Sequence, residues 1–291
     1  MKSLYSNKKF PVILPVRFES YHSVSSVNVV KWLASIPSYY FFIAAVSLML
    51  LPTISYAVDG VESASPFAIL LKWVPVMLTK GFFMNVVISF LTMMLGTVLG
   101  VFLGLGQISP NFFIQKISMI ITQIFRNSPW LVLLFIVMLS FPFEITVGDY
   151  VIPIPDWFKA VIGLSLPLMA NVAEIVRGAI QSVPTGQWEA AESLAYTRHQ
   201  TLWKIILPQT IKRMIPPWMN WYAIMTMATP LVSLLGVTEV VALSRQAMEA
   251  ENNDPALLVP FYGFCLVIFF LYTYPIARLT MSLERKFAVK L

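Results

Sequence analysis

Long apolar runs alternate with shorter polar interruptions along most of this chain. Runs over residues 38–57, 82–105, 117–140, 158–180, 215–241 and 259–281 each approach or exceed the ~20 residues that a helix needs to cross a bilayer core. They predict an all-α, polytopic transmembrane helical bundle of about six spans. Residues 64–78 are moderately apolar and predict an interfacial helix. Residues 1–37 are polar and carry Lys2, Lys8, Lys9, Arg17 and Lys31 without helical periodicity. They read as a cytoplasmic N-terminal segment, followed by the extra span 38–57. Ser55-Tyr56-Ala57 resembles a signal-peptidase site. The polar region before it is long for a signal peptide, so an uncleaved anchor is the expectation.

Composition strengthens this reading. The chain is 58% hydrophobic and 12% charged, with mean hydropathy +0.75, whereas a soluble domain carries roughly 25% charged residues. The net charge of +6 is distributed as in a membrane protein, and no nucleic-acid partner is expected. Basic residues fall in the N-terminus, in the central loop (Arg198, Lys204, Lys212, Arg213) and at the C-terminus. Acidic residues fall in the alternate loops (Asp59 and Glu62; Glu144, Asp149 and Asp156; Glu249, Glu251 and Asp254). Six spans put all the basic regions on one side, which the positive-inside rule makes cytoplasmic. Both termini are then cytoplasmic. Cys265 is the lone cysteine, so no intrachain disulfide forms. His22 and His199 are too isolated for a metal site.

One polar stretch stands apart. Residues 182–210 predict a cytoplasmic helix-turn-helix with Thr185 as N-cap. Glu189 and Glu192 would lie near the positive end of its first helix, and Pro208 would stop the second. Ala190, Ala191 and Ala195 are small enough for a partner surface to approach the backbone.

Glu189-Ala190-Ala191, followed by Ile205-Ile206-Leu207-Pro208, resembles the EAA loop of ABC importer permeases of the polar amino-acid uptake family. The family's usual glycine is Ala195 here. Asn171-Val172-Ala173-Glu174-Ile175-Val176-Arg177-Gly178 is similar to the family's A-E-x-x-R-G. Phe125-Arg126-Asn127-Ser128-Pro129 is similar to its F-R-G-T-P with two changes. In the fifth span, Asn220, Met227, Ala228, Thr229, Pro230 and Leu231 stand where many relatives carry N-x-x-x-x-x-x-K-[DN]-T-S-L, so a lysine, its polar neighbour and a serine are absent.

The resemblance implies an ABC importer permease (MetI-like) fold over residues 80–285. It also implies a coupling loop (Glu189, Ala190, Ala191, Ala195, Arg198, Leu207, Pro208) that docks on a separate ATPase. Further implied partners are a second permease chain, identical or paralogous, and a periplasmic or extracellular solute-binding protein, all at the bacterial inner membrane. The expected cargo is a polar amino acid or similar small solute.

The candidate pathway or gate residues are Arg126, Asn127, Ser128, Asn171, Glu174, Arg177, Asn220, Thr229 and Ser233, all polar groups in or beside apolar spans. Glu174 and Arg177, three apart on one helix face, can pair with each other or with Arg126. That pairing fixes helix packing near the gate or meets the solute. Arg126 either snorkels to the interface or lines the path. Asn220, Thr229 and Ser233 are expected to line it.

The chain has no G-x-x-x-x-G-K-[ST] and no recognisable catalytic set. It is expected to be non-enzymatic, with no cofactor of its own and with ATP and Mg on the partner. The alternative is a self-contained, ion-gradient-driven secondary transporter. The lack of an obvious internal repeat and the few intramembrane charges speak against it.

Overall fold

The computed structural model describes residues 65–147 and 149–287, together with Ser47. The N-terminal segment 1–37 and, apart from Ser47, the span 38–57 lie outside the described residues. The described chain begins with α1 (Pro66–Val76), whose N-cap Ser65 accepts from the Ala68 N–H. A π-helical turn, Met77–Phe82, leads without a break into α2 (Phe83–Gln107). Pro66–Gln107 is thus one run of 42 residues. The interfacial helix expected over 64–78 and the span expected from residue 82 are one element. Pro75 lacks an N–H, yet the helix runs through it into the π turn without ending.

The third expected span is broken. Helix α3 (Phe112–Asn127) and helix α4 (Trp130–Ser140) meet at an angle of 104°. Pro129 explains the elbow, because its ring forces Ser128 into an extended conformation (ψ 140°) that cannot continue a helix. Strands β1 (Glu144–Val147) and β2 (Tyr150–Pro153) form an antiparallel hairpin, followed by α5 (Asp156–Gln181).

The polar loop contains α6 (Thr185–Ser193) and α7 (Arg198–Thr201). A second π turn, Leu202–Ile206, then feeds α8 (Leu207–Ala228). Pro208 therefore does not stop a helix. It sits in the first turn of α8, where a missing N–H costs little. A 3₁₀ segment, Thr229–Leu235, and Gly236 (φ 87°) separate α8 from α9 (Val240–Ala250), giving a second bent span of 48°. Helix α10 (Leu258–Phe287) closes the fold.

Among the described residues three helices are long and apolar enough to cross a membrane, or five if each bent pair is one span. Helix α5 is the centre, with 72% of its apolar window buried against 33% and 28% for the other two. It packs parallel to α2 along a stripe of small residues. A Cβ on Gly96 would lie 2.7 Å from Leu168, one on Gly100 2.6 Å from Val172, and one on Gly104 2.7 Å from Val176. Each glycine admits one large side chain, so the two backbones approach as only this spacing allows. The bundle thus has two ends, one bearing the β hairpin and the other the α6–α7 loop.

Candidate functional site

The loop at one end of the bundle is a packed unit. Val183 and Ile206, before and after α6 and α7, are buried in one cluster with Val176 and Ile180 of α5. Arg213 of α8 donates to the Ser182 carbonyl (2.8 Å) and hydroxyl (2.7 Å). Helix α6 starts with Pro184 as N-cap, which has no side-chain bond, so Thr185 is the first helical residue and not the cap. Glu189 is consequently fifth in the helix, beyond the first turn.

Glu189 and Ala190 are exposed, while Ala191 is buried. Helix α6 ends in a Schellman turn: the Tyr196 N–H donates to the Ala191 carbonyl (3.1 Å) and the Ala195 N–H to the Glu192 carbonyl (2.9 Å). Ala195 takes the left-handed conformation this turn needs, with φ 59°. The small residue at 195 thus serves the backbone first, a different reason from the close approach expected of it.

A Thr197–Gln200 capping box then starts α7, with Arg198 exposed at its first position. Leu207 is half-buried and Pro208 exposed. Leu194 (72% exposed) and Trp203 (52%) add exposed apolar surface to the same loop region. The loop therefore offers a preformed, partly apolar face on a rigid base.

Above it, three of the expected pathway residues come together. The Glu174 carboxylate receives Arg177 Nη2 at 2.7 Å and Nε at 3.2 Å, a two-pronged bond, and Arg126 Nη1 at 3.1 Å. Arg177 also donates to Gln181 (3.0 Å). One carboxylate thus joins α3, just before the Pro129 elbow, to the loop end of α5. Asn127 and Ser128 are satisfied within α3, by Gln123 and by the Ile124 carbonyl. Asn171 bonds the Pro167 carbonyl on its own helix. Asn220 is exposed and lines a cleft of about 1040 Å³ with Ser182, Arg213 and Glu284.

Thr229 and Ser233 lie inside the protomer and not on its surface. Thr229 is fully buried, and Ser233 is buried with its hydroxyl on the Pro230 carbonyl. Thr229 belongs to a polar cluster that sequence reasoning missed. Asn85 Nδ2 donates to Thr229 Oγ1 (2.8 Å) and to Glu239 Oε2 (2.9 Å), while Asn85 Oδ1 accepts from the Val240 N–H (3.1 Å). Glu239, also fully buried, caps α9 by accepting from the Val241 and Ala242 N–H groups. The signal for it was present: an acidic residue three after Gly236, directly before an apolar-periodic run.

Comparison with known proteins identifies the family to which this helical bundle and its polar loop belong. Residues 96–283 match the family of binding-protein-dependent transport system inner membrane components. The chain belongs to that family. It is 31% identical over 197 residues to a probable amino-acid ABC transporter permease of Sinorhizobium fredii, covering 66% of this chain and 83% of that protein. It is 38% identical over 161 residues to a probable amino-acid ABC transporter permease of Bacillus subtilis, covering 55% and 69%.

The crystal structure of an amino acid ABC transporter with histidines superposes with TM-score 0.65 at 26% identity, over 76% of this chain and 98% of that one. An inward-facing MetNI methionine ABC transporter shares the fold, with TM-score 0.55 at 16% identity over 73% and 97%. This chain is therefore a multi-pass inner-membrane permease subunit of a binding-protein-dependent ABC importer. The secondary-transporter alternative is not favoured.

Proposed function

We propose that this permease carries a polar amino acid or a similar small solute inward, driven by ATP and Mg bound on a separate ATPase subunit docked against α6. Amino-acid permeases among its relatives support the cargo. The observation that carries the docking is the α6–α7 loop, where exposed Glu189, Leu194 and Trp203 stand on a base pinned by Arg213 and Ser182. An ATPase can bias a gate only if it contacts the gate's two states differently, and this loop joins α5 to α8 directly.

In this reading Glu189, Ala190, Ala195, Arg198, Leu207 and Pro208 form the coupling surface, with Ala191 buried beneath it. The Arg126–Glu174–Arg177 cluster stands between that surface and the pathway as a gate support. A second permease chain, identical or paralogous, completes the pathway, and a periplasmic or extracellular binding protein delivers solute at the hairpin end. The loop end, with the C-terminus of α10, faces the cytoplasm, as does the N-terminus.

The test is purification of the tagged chain from its host with its companions, followed by vesicle uptake of radiolabelled amino acids. Wild-type chain is expected to bring down a soluble ATPase. Glu189→Lys is expected to lose the ATPase while inserting normally. Full uptake by Glu189→Lys would show that the loop is not the coupling element.

A further inference from the structure

The β hairpin is exposed on both faces, and one of them is the more apolar. Ile145 and Ile152 lie directly opposite each other, and Tyr150 follows on the same face two residues along. All three are exposed, Tyr150 to 78%. The other face carries Glu144, Thr146, Val151 and Pro153; it is also exposed, Val151 to 55%, but is the more polar of the two. An isolated two-stranded ribbon is marginal in water, so an exposed apolar face on one needs a cover.

Three observations choose among covers. First, the apolar face continues a membrane-depth surface. On α4, Val132, Ile136 and Leu139 form an exposed stripe at helical spacing that leads to Phe143 at the hairpin's base. Second, the hairpin is anchored at the bundle rim. Its base closes through the Ile154 N–H to the Phe143 carbonyl (2.8 Å). The Phe143 ring sits 4.0 Å from Nζ of Lys159, a fully buried lysine whose carboxylate partner is Asp156 at 3.3 Å. Third, the strands are short and end at Pro153 and Glu144, features that discourage edge pairing with another chain.

From these we infer that the apolar face of the hairpin rests in the headgroup and upper acyl layer of the bilayer leaflet at its end of the bundle. It forms a lipid-seated flap between α4 and α5. The partner is a zwitterionic lipid surface, because residues 127–158 contain Glu144, Asp149 and Asp156 but no Lys or Arg. Tyr150, amphipathic at the rim of this face, suits the membrane–water boundary.

Single cysteines at Ile152 and Thr146 test this in a Cys265→Ala background, with the labelled transporter reconstituted in phosphatidylcholine vesicles. A bimane at 152 is expected to be quenched by headgroup-proximal nitroxide lipid about three-fold more than one at 146, and to be shielded from aqueous iodide. Equal iodide access at 152 and 146 would overturn the inference. So would shielding at 152 without lipid quenching, which would mean that a second copy or a soluble partner covers the face. Tyr150→Cys and Val151→Cys repeat the comparison on the same two faces, so a variant that misfolds does not decide the matter.

Discussion

Asn85 and Glu239 are 154 positions apart in sequence and joined by a 2.9 Å hydrogen bond in the middle of the packed bundle. Together they fix the start of α9 against α2, where a Cβ on Gly81 would lie 2.8 Å from the Val240 backbone. The carboxylate is buried but fully used, with two backbone donors and one amide donor. Glu239→Ala removes the cap and strands these donors. It is expected to lower stability by about 2–4 kcal/mol, measured as thermal unfolding in detergent. Asn85→Ala is expected to follow it, and the double variant to cost less than the sum.

The charge cluster predicts an order of effects. Glu174→Ala leaves two arginines without their carboxylate, so it is expected to reduce uptake most. Arg177→Ala loses the two-pronged bond and comes second. Arg126→Ala comes last, because its side chain is 45% exposed against 20% for Glu174, and water compensates an exposed partner. Initial uptake rates in vesicles check the ranking, and an Arg126 variant worse than Glu174→Ala would contradict it.

Ala195 holds a left-handed conformation at φ 59°, which costs an L-residue roughly 1–2 kcal/mol. Ala195→Gly is therefore expected to stabilise the loop by about 1 kcal/mol. Ala195→Val is expected to do the reverse without touching any partner. Proteolytic nicking within 182–210 reads this locally. If close approach of a partner were the only constraint, Gly and Ala would be nicked alike.

The glycine stripe gives a paired test. Gly100→Ala places a methyl 2.8 Å from the Met169 carbonyl oxygen. The α2–α5 contact must open, at about 1–3 kcal/mol. Gly178→Ala meets nothing within 4 Å and is expected to leave unfolding unchanged. Thermal scans of both variants make the comparison.

At the hairpin end, Lys72 donates to Glu251 at 2.9 Å and Trp73 Nε1 at 3.1 Å. These bonds, Lys72 first, hold the Glu251 carboxyl below its ordinary range. A depressed carboxylate stabilises above its unfolded pKa and loses that contribution as pH falls through the folded value. The coupling of Lys72→Ala with Glu251→Ala is thus expected at neutral pH and absent in strong acid. It should be small throughout, since Lys72 is 69% exposed.

Much of this was legible in the chain. Apolar run length located the apolar segments from 82 onward, because lipid leaves few other solutions for such segments, though it showed neither the start at Pro66 nor the break at Pro129. The i, i+3 spacing of Glu174 and Arg177 foretold their pairing. What was not legible depended on backbone response. Pro75 and Pro208 sit within runs that stay helical, whereas Pro129 makes an elbow, and the residue type alone does not separate these outcomes. Thr229 and Ser233 are polar residues in an apolar run, a pattern shared by pathway linings and buried packing. The arrival of Asn85 from a distant helix, which gives Thr229 its hydrogen-bond partner, has no local sign in the sequence. Ala195 was read by its size when its dihedral angle was the constraint.

Arg126 lies two residues before Ser128, beside the pivot of the α3–α4 elbow, and its partner Glu174 stands on α5, the most buried of the long helices. The ion pair therefore pins the pivot itself: if the elbow opens, the Phe112 end of α3 travels while residue 126 stays beside residue 174. A spin label near Phe112 paired with one on α5 would follow the joint as a single length, and a pair at 126 and 174 would stay constant.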